Sequence, residues 1–432
     1  MDLGNIKNKI KNRTLNIGIL GLGYVGLPLA MEFLDKNYKV FGYDNNEKKI
    51  SKIKLGEIDY IDNNKLSKAL SKKFKISSNK EILQKVDIAI ICVPTPLTQS
   101  FEPDISYITE AMDTLLSLKL KNLIIVLEST TYPGTTREII LHNCLKHKYI
   151  LDKNLFIAYS PERVDPGNLN FQINNTPKVI GGISKKSTYV IKIIYNTIIT
   201  NIIPVSTPEV AEMSKLLENT FRSVNIAFIN EMMQLSEKLN IDIWETLEAS
   251  GTKPYGFMKF VPGPGIGGHC IPLDPMYLYW KGKINNSFSK FIELSHQINC
   301  KMPEYVINNI IKILNINKKS INGSKILLVG MSYKENISDI REAPSLAIYE
   351  LLKKYKAYVD YCDPLIPELN DIKSINLDYY LFNMYDVVVL LSVHDIFNKN
   401  LIIKNSTYIL DTKNIMKEFN NNNIKKLGFV SS

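Results

Sequence analysis

No run in this 432-residue chain approaches the roughly eighteen apolar residues of a membrane-spanning helix. No CxxC spacing occurs either, and the five cysteines (Cys92, Cys144, Cys270, Cys300, Cys362) are odd in number and scattered. That pattern argues against a disulfide framework and against a zinc site, so free thiols and no bound metal are expected. The first fourteen residues are basic and Asn-rich and lack the apolar stretch of a signal peptide, which points to a cytoplasmic protein. No solenoid period is present, and the Asn-rich stretches read as loops. What is there is ordinary soluble composition, 45% hydrophobic and 22% charged, in a chain too long for one core, so two or three domains are expected. A net charge of +10 suits a binder of anions such as nucleotides. Nucleic acid or a membrane surface would be served equally well, so charge alone discriminates little.

Residues 15–20 form a short apolar run leading into Gly21-Leu22-Gly23-Tyr24-Val25-Gly26, after which 27–34 has helical length and 38–43 is strand-like. Glycine at those three positions permits a tight turn, close approach to a pyrophosphate and helix-on-strand packing, with the helix N-terminus facing the phosphates. Asp44 closes the second strand, eighteen residues past Gly26. Its carboxylate would accept from a ribose 2′-OH and repel a 2′-phosphate, so NAD is expected rather than NADP. Residues 86–93, 123–127 and 155–159 read as further buried strands, ending in Pro94-Thr95-Pro96, Glu128-Ser129-Thr130 and Ser160-Pro161-Glu162-Arg163. In an open α/β sheet ligands lie beyond the carboxyl ends of the strands, so Thr95 and Thr130 can reach a cofactor, or can simply cap the next helices. Glu162 is either a positioned base or half of a loop ion pair.

From Ser206 the character changes: Ser206-Thr207-Pro208-Glu209 is a helix-start signature, and helical periodicity continues to about residue 239. Lys215 and Asn219, four apart, share one face of this long helix and can point at a common target or lie on a solvated surface. A second helix over 242–249 precedes Gly263-Pro264-Gly265-Ile266-Gly267-Gly268-His269-Cys270-Ile271-Pro272-Leu273-Asp274-Pro275. Four glycines and three prolines in thirteen positions make this a shaped loop rather than a helix or strand. Cys270, beside His269 and four residues before Asp274, is a candidate nucleophile or a buried, inert thiol. More helix is expected over 287–315, then a second α/β pattern with strands at 325–330, 357–362, 387–391 and 408–411 and a helix at 343–352. Only Gly330 marks its first turn, and Lys334 and Arg341 lie just past it, where a diphosphate would be welcome.

Taken in this order, these motifs closely resemble the nucleotide-sugar 6-dehydrogenase family, the UDP-glucose and UDP-N-acetylhexosamine dehydrogenases, over nearly everything after Leu15. The resemblance implies an α/β protein with two Rossmann-like doubly wound domains joined by a long central helix and a helical dimerisation domain. The boundaries would be 1–205 for NAD, 206–318 for the dimerisation domain with its cysteine loop, and 319–432 for UDP. It implies four-electron oxidation of a sugar C6 hydroxyl to the uronate, for surface polysaccharide biosynthesis, by a homodimer or higher homo-oligomer that binds no nucleic acid and inserts in no membrane.

The resemblance also assigns roles. Cys270 would form a thiohemiacetal and then a thioester; Lys215 and Asp274 would serve the C6 oxygen, assisted by Asn219 and a water held by Thr130; Glu162 would help hydrolyse the thioester. NAD would be held by Gly21, Gly23, Tyr24, Val25, Gly26, Asp44, Lys49, Thr95 and Thr130, with Arg341 reaching it in a neighbouring subunit. The sugar nucleotide would meet Glu162, Lys215, Asn219, Lys259, Gly267 and Lys334. The Gly-Gly-His-Cys-Ile-Pro run and the Pro-Gly-Pro-Gly before it resemble the N-acetylhexosamine subgroup. Lys253-Pro254-Tyr255-Gly256-Phe257 is most similar to UDP-N-acetylglucosamine 6-dehydrogenases, with UDP-glucose, UDP-N-acetylgalactosamine and UDP-N-acetylmannosamine as alternatives. The rivals are a two-electron dehydrogenase of the same fold and a non-catalytic NAD sensor in which Cys270 reports redox state.

Overall fold

A computed structural model of the chain describes residues 3–58, 61–71, 73–98, 100–163 and 170–429. The chain divides into two compact units, Met1–Glu218 with Met276–Ser287, and Asn219–Pro275 with Phe288–Ser432. Among the described residues no helix is long and apolar enough to cross a membrane.

The first unit is a sheet covered by helices on both faces, which is why its strands read as continuous apolar runs rather than alternating ones. The basic leader is itself a helix, α1 (Leu3–Lys11), held by fully buried Ile6 and by Lys9, whose ammonium lies 2.6 Å from Asp87. Then follow β1 (Asn16–Leu20), α2 (Gly26–Asp35), β2 (Lys39–Tyr43), α3 (Glu47–Leu55), α4 (Asn63–Leu70), β3 (Phe74–Ser77) and β4 (Ile88–Ile91). The unit continues with α5 (Ser106–Ser117), β5 (Leu123–Leu127), α6 (His142–Lys146), β6 (Leu155–Tyr159), β7 (Lys178–Gly182), α7 (Lys185–Tyr195) and β8 (Ile202–Val205). Strand order is β3-β2-β1-β4-β5-β6-β7-β8, parallel except for the β6–β7 pair. The order reverses between β1 and β4, so the glycine turn after β1 and the Thr95 loop after β4 open at the same carboxyl edge, where such sheets bind ligands.

The long helix α8 (Pro208–Lys238) starts as its signature predicts, with Pro208 at the front and the Thr207 hydroxyl accepting from the Val210 amide at 3.4 Å. The division between units falls within it, after Glu218. The second unit adds α9 (Ile243–Gly251) and the glycine/proline loop. Helix α10 (Asp274–Ile284) begins inside the stretch that the sequence assigns to the loop. Pro275 is the reason for the difference: it lacks an N–H, but the first turn of a helix needs none.

After α11 (Lys290–Ile316) comes a second parallel sheet, built from β9 (Lys325–Val329), β10 (Tyr358–Cys362), β13 (Val387–Leu390), β14 (Ile409–Asp411) and β15 (Ile424–Lys426). Its order is β10-β9-β13-β14-β15, with α12 (Pro344–Lys354) packed on α11 and a two-residue hairpin of β11 (Glu368–Leu369) and β12 (Ile372–Lys373) alongside. Helix α13 (Lys399–Asn405) precedes β14. Apolar clusters on both faces of this sheet make a core separate from that of the first unit.

Candidate active site

The turn after β1 has the shape of a phosphate cradle. Gly26 opens α2, and a Cβ built on Gly23 meets nothing within 4 Å, so open space lies where a pyrophosphate would approach the helix N-terminus. Tyr24 is exposed and Val25 half-buried beside it. Asp44 is only 5% exposed and already at work: it accepts from the Leu22 amide at 2.9 Å and the Asn46 amide at 3.1 Å, and pairs with Lys49 at 2.8 Å. A carboxylate offers about four lone-pair sites, so a ribose hydroxyl can still be accepted. The residues present therefore fit a dinucleotide, with Asp44 and Lys49 both tied to the floor of the turn.

Beyond β4 and β5, the Thr95 hydroxyl donates to the Thr130 carbonyl at 2.7 Å, and the Ser129 hydroxyl donates to the Val93 carbonyl at 2.7 Å. These bonds lock the two loops together and leave the half-buried Thr130 side chain at their rim. The Tyr277 hydroxyl donates to the Thr95 carbonyl, and Tyr132, Leu216 and Tyr277 pack beneath. Behind Thr130, Glu212 of α8 is fully buried and accepts from the Gly134 and Thr136 amides and the Thr136 hydroxyl. Burial pushes its carboxyl up to about 7 against those hydrogen bonds.

Glu162, past the end of β6, takes the Arg163 amide on one oxygen at 2.8 Å and has the Lys178 ammonium 3.4 Å from the other. Lys178 lies 3.0 Å from Glu128, whose second oxygen accepts from the Tyr195 hydroxyl at 2.5 Å. Burial raises the Glu128 carboxyl, opposed by the Lys178 charge beside it. Lys178 and Tyr195 escaped the sequence reading because β7 and α7 were not foreseen.

In the second unit the cysteine loop is fixed from several sides. Gly263 donates its amide to Asn230 of α8 at 2.9 Å, and Asn230 donates to Asn299 of α11 at 3.0 Å, both asparagines being buried. Gly268 donates to the Arg341 carbonyl at 2.9 Å. The Cys270 carbonyl accepts the Asp274 amide at 2.9 Å, which places the half-buried thiol at the entrance to α10. A helix N-terminus favours the thiolate, the reactive form. Asp274 is 1% exposed and accepts from the Asn219 side chain at 2.5 Å. Lys215, one turn before Asn219 on α8, is buried.

Cβ atoms are excluded at Gly267, where one would lie 2.6 Å from the Tyr333 Cβ and 3.0 Å from the Glu342 carbonyl oxygen. Gly267→Ala must therefore push the loop off the 333–344 segment. The expected cost is about 1–3 kcal/mol of stability, seen as a lower denaturation midpoint. Gly23→Ala, facing open space, should leave the midpoint unchanged and weaken dinucleotide binding. Calorimetry and a dinucleotide titration of both variants would detect a reversed order.

Other expected residues have partners within the second unit. Arg341 forks onto Asp339, at 2.6 Å for its shortest contact, while its backbone supports Gly268. Lys259 pairs with Glu248 at 2.5 Å on the surface of the second unit. The Lys334 carbonyl accepts from the Ser332 hydroxyl, which shapes the turn after β9. The sequence reading passed over Lys413, whose side chain lies beside Gly263 and whose ammonium burial pushes down. It stands two residues past Asp411, at a strand end where a cation could have been suspected. Among the described residues no group of three or more His, Cys, Asp or Glu side chains could hold a metal.

Residues 15–199, 209–301 and 327–418 match the NAD binding, central and UDP binding domains of the UDP-glucose/GDP-mannose dehydrogenase family. A UDP-N-acetyl-D-mannosamine dehydrogenase of Methanocaldococcus jannaschii is 34% identical across 95% of this chain and 94% of its own. A UDP-N-acetyl-D-glucosamine 6-dehydrogenase of Pseudomonas aeruginosa is 33% identical across 82% of this chain and 84% of its own. The solved structure of the UDP-D-ManNAc dehydrogenase of Pyrococcus horikoshii superimposes with a TM-score of 0.88 at 30% identity, over 96% of this chain and 99% of that one.

Proposed function

This chain belongs to the UDP-glucose/GDP-mannose dehydrogenase family, and from that premise we propose that it oxidises the C6 hydroxyl of a UDP-N-acetylhexosamine to the carboxylate. The observation that carries the reading is the Cys270 loop, in which a thiol at a helix entrance stands one turn from a buried carboxylate, Asp274, gripped by Asn219. A two-electron alcohol dehydrogenase has no use for that thiol. Two NAD⁺ molecules, held in turn by the glycine turn after β1 with Asp44 and Lys49, would each supply the acceptor for one of the two hydrides leaving C6.

Lys215 and Asp274 take the hydroxyl proton and stabilise the charge on the C6 oxygen, with Asn219 orienting Asp274. The Cys270 sulfur then adds to the aldehyde carbon as the oxygen is protonated, and loss of that proton in the second oxidation leaves a thioester. Glu162 takes a proton from water, the water oxygen bonds to the carbonyl carbon, the C–S bond breaks, and the Cys270 thiolate leaves with the uronate released. Lys334, Lys413 and Gly267 serve the nucleotide sugar, and Thr95, Thr130, Asp44 and Lys49 the cofactor. The three-part division at 205 and 318 is retained as a functional one, and exposed Phe221, Phe228 and Leu235 along α8 with Phe257 and Met258 offer the apolar face of a homodimer.

Between the C2 epimers we place UDP-N-acetylmannosamine first, because relatives so named match over more of the chain. The Lys253–Phe257 segment instead favours UDP-N-acetylglucosamine as second reading. A panel of UDP-sugars, followed by NADH formation, is expected to give two NADH per sugar and the highest kcat/KM with UDP-N-acetylmannosamine. A higher value with the gluco epimer would invert the order, and one NADH per sugar would remove the four-electron reaction.

A further inference from the structure

Lys178 is one ammonium shared by two carboxylates. It is the first residue of β7, its side chain is 5% exposed, and its Nζ lies 3.0 Å from Glu128 Oε2, 3.4 Å from Glu162 Oε2 and 3.4 Å from the Pro161 carbonyl oxygen. An ammonium has three protons, and here each has an acceptor. Glu128 alone would have sufficed to neutralise a buried lysine. The second carboxylate leaves the cluster with a net negative charge, an arrangement that fold stability does not call for. The two carboxylates also differ: the Glu128 side chain is sealed, whereas that of Glu162 is 15% exposed and so opens outward.

We propose that Lys178, backed by Glu128, is a positioning residue for Glu162, which holds that carboxylate in place at the end of β6 and keeps it ionised for hydrolysis of the Cys270 thioester. This rests on the function proposed above, in which Glu162 activates water. Glu128 acts as the anchor: its other oxygen is closed by the Tyr195 hydroxyl, so it cannot swing away, and Lys178 in turn ties the Pro161–Glu162 backbone to β7.

Among the described residues the neighbouring titratable groups do not compete for this task. Cys92, at the end of β4, and Tyr195, on α7, are both kept neutral by burial, which pushes their ionisation well up. Arg163 follows Glu162 in the chain but spends its guanidinium on Glu218 of α8 at 2.8 Å and on the Pro177 carbonyl at 2.9 Å. Removing the Lys178 cation from beside a carboxylate favours its protonated form, so the base would be available only at higher pH. Removing the Glu128 charge does the reverse, since Glu162 no longer shares the ammonium.

The test is rapid quench of full-length enzyme with UDP-N-acetylhexosamine and NAD⁺, with intact-protein mass following the acyl adduct on Cys270 across pH. In Lys178→Met the adduct should accumulate, and the acidic limb of its decay should move up by about one to three pH units. In Glu128→Gln the limb should move down, and Lys178→Arg should return it toward wild type. Opposite movements from two touching buried residues are not what a merely structural contact produces. If Lys178→Met does not fold, Glu128→Gln and Lys178→Arg carry the comparison. Limbs that stay at the wild-type position would overturn the inference, and if Glu162→Gln still traps the adduct they would do so without touching the function. No adduct in wild type or in Glu162→Gln would remove the thioester reading and the inference with it.

Discussion

Cys270→Ala is expected to abolish uronate formation, by about three orders of magnitude or more as loss of a covalent nucleophile does elsewhere, while the first oxidation continues. The backbone around the residue does not depend on its sulfur: the Cys270 carbonyl still accepts the Leu273 and Asp274 amides, and Asp274 still accepts from Asn219. The alcohol can therefore still be brought to the aldehyde. Without a thiol the aldehyde has only its hydrate as a tetrahedral adduct from which a second hydride can leave. Product mass analysis and NADH counting should show the aldehyde and one NADH per sugar. Uronate at the wild-type rate would make Cys270 a structural thiol.

Lys215→Ala should slow both oxidations, by about 10²–10³-fold each, the usual cost of deleting one group that stabilises charge at a reacting oxygen. The residue is buried on α8, one turn from Asn219. If its role is at the C6 oxygen, both phases of NADH release fall together and the yield stays at two per sugar. Lys215→Arg should not restore the rate, because a planar fork replaces a compact point charge. Slowing confined to the second phase would move Lys215 from the C6 oxygen to the thioester.

Local signals carried much of the fold and rather less of the candidate site. The expected strands at 123–127 and 155–159 are β5 and β6 residue for residue, since five consecutive apolar residues covered by helices admit little else. Helix α1 was invisible because its few apolar residues sit in a Lys/Asn background, and β7 and β8 because glycine and proline break short apolar runs that then read as loop. The glycine turn and the cysteine loop are legible since their chemistry is contiguous in sequence. Their supports are not: Gly263 is held by Asn230 and Asn299, 33 and 69 residues apart in those pairings, and nothing in either helix marks those two asparagines among the many others. For Arg341 the sequence shows the charge, while its neighbours, Asp339 at the guanidinium and Gly268 at the carbonyl, come from the fold.

The two sheets treat the acid after their second strand in opposite ways. Asp44 holds the Leu22 amide and keeps room for a ribose hydroxyl, whereas Asp363, fully buried after β10, holds the Met331, Ser332, Leu365 and Ile366 amides. His394 closes the remaining side, its Nε2 3.0 Å from Asp363 while its Nδ1 accepts the Asn336 amide at 2.8 Å. These donors hold the Asp363 carboxyl below the usual carboxylate range despite its burial. Grafting the missing glycines onto the turn at Gly330 would therefore not convert this half into a second dinucleotide site. The corner that reads the ribose has been walled in by an imidazole, and a redesign would have to evict His394 and find the Asn336 amide another acceptor before any new cofactor could enter.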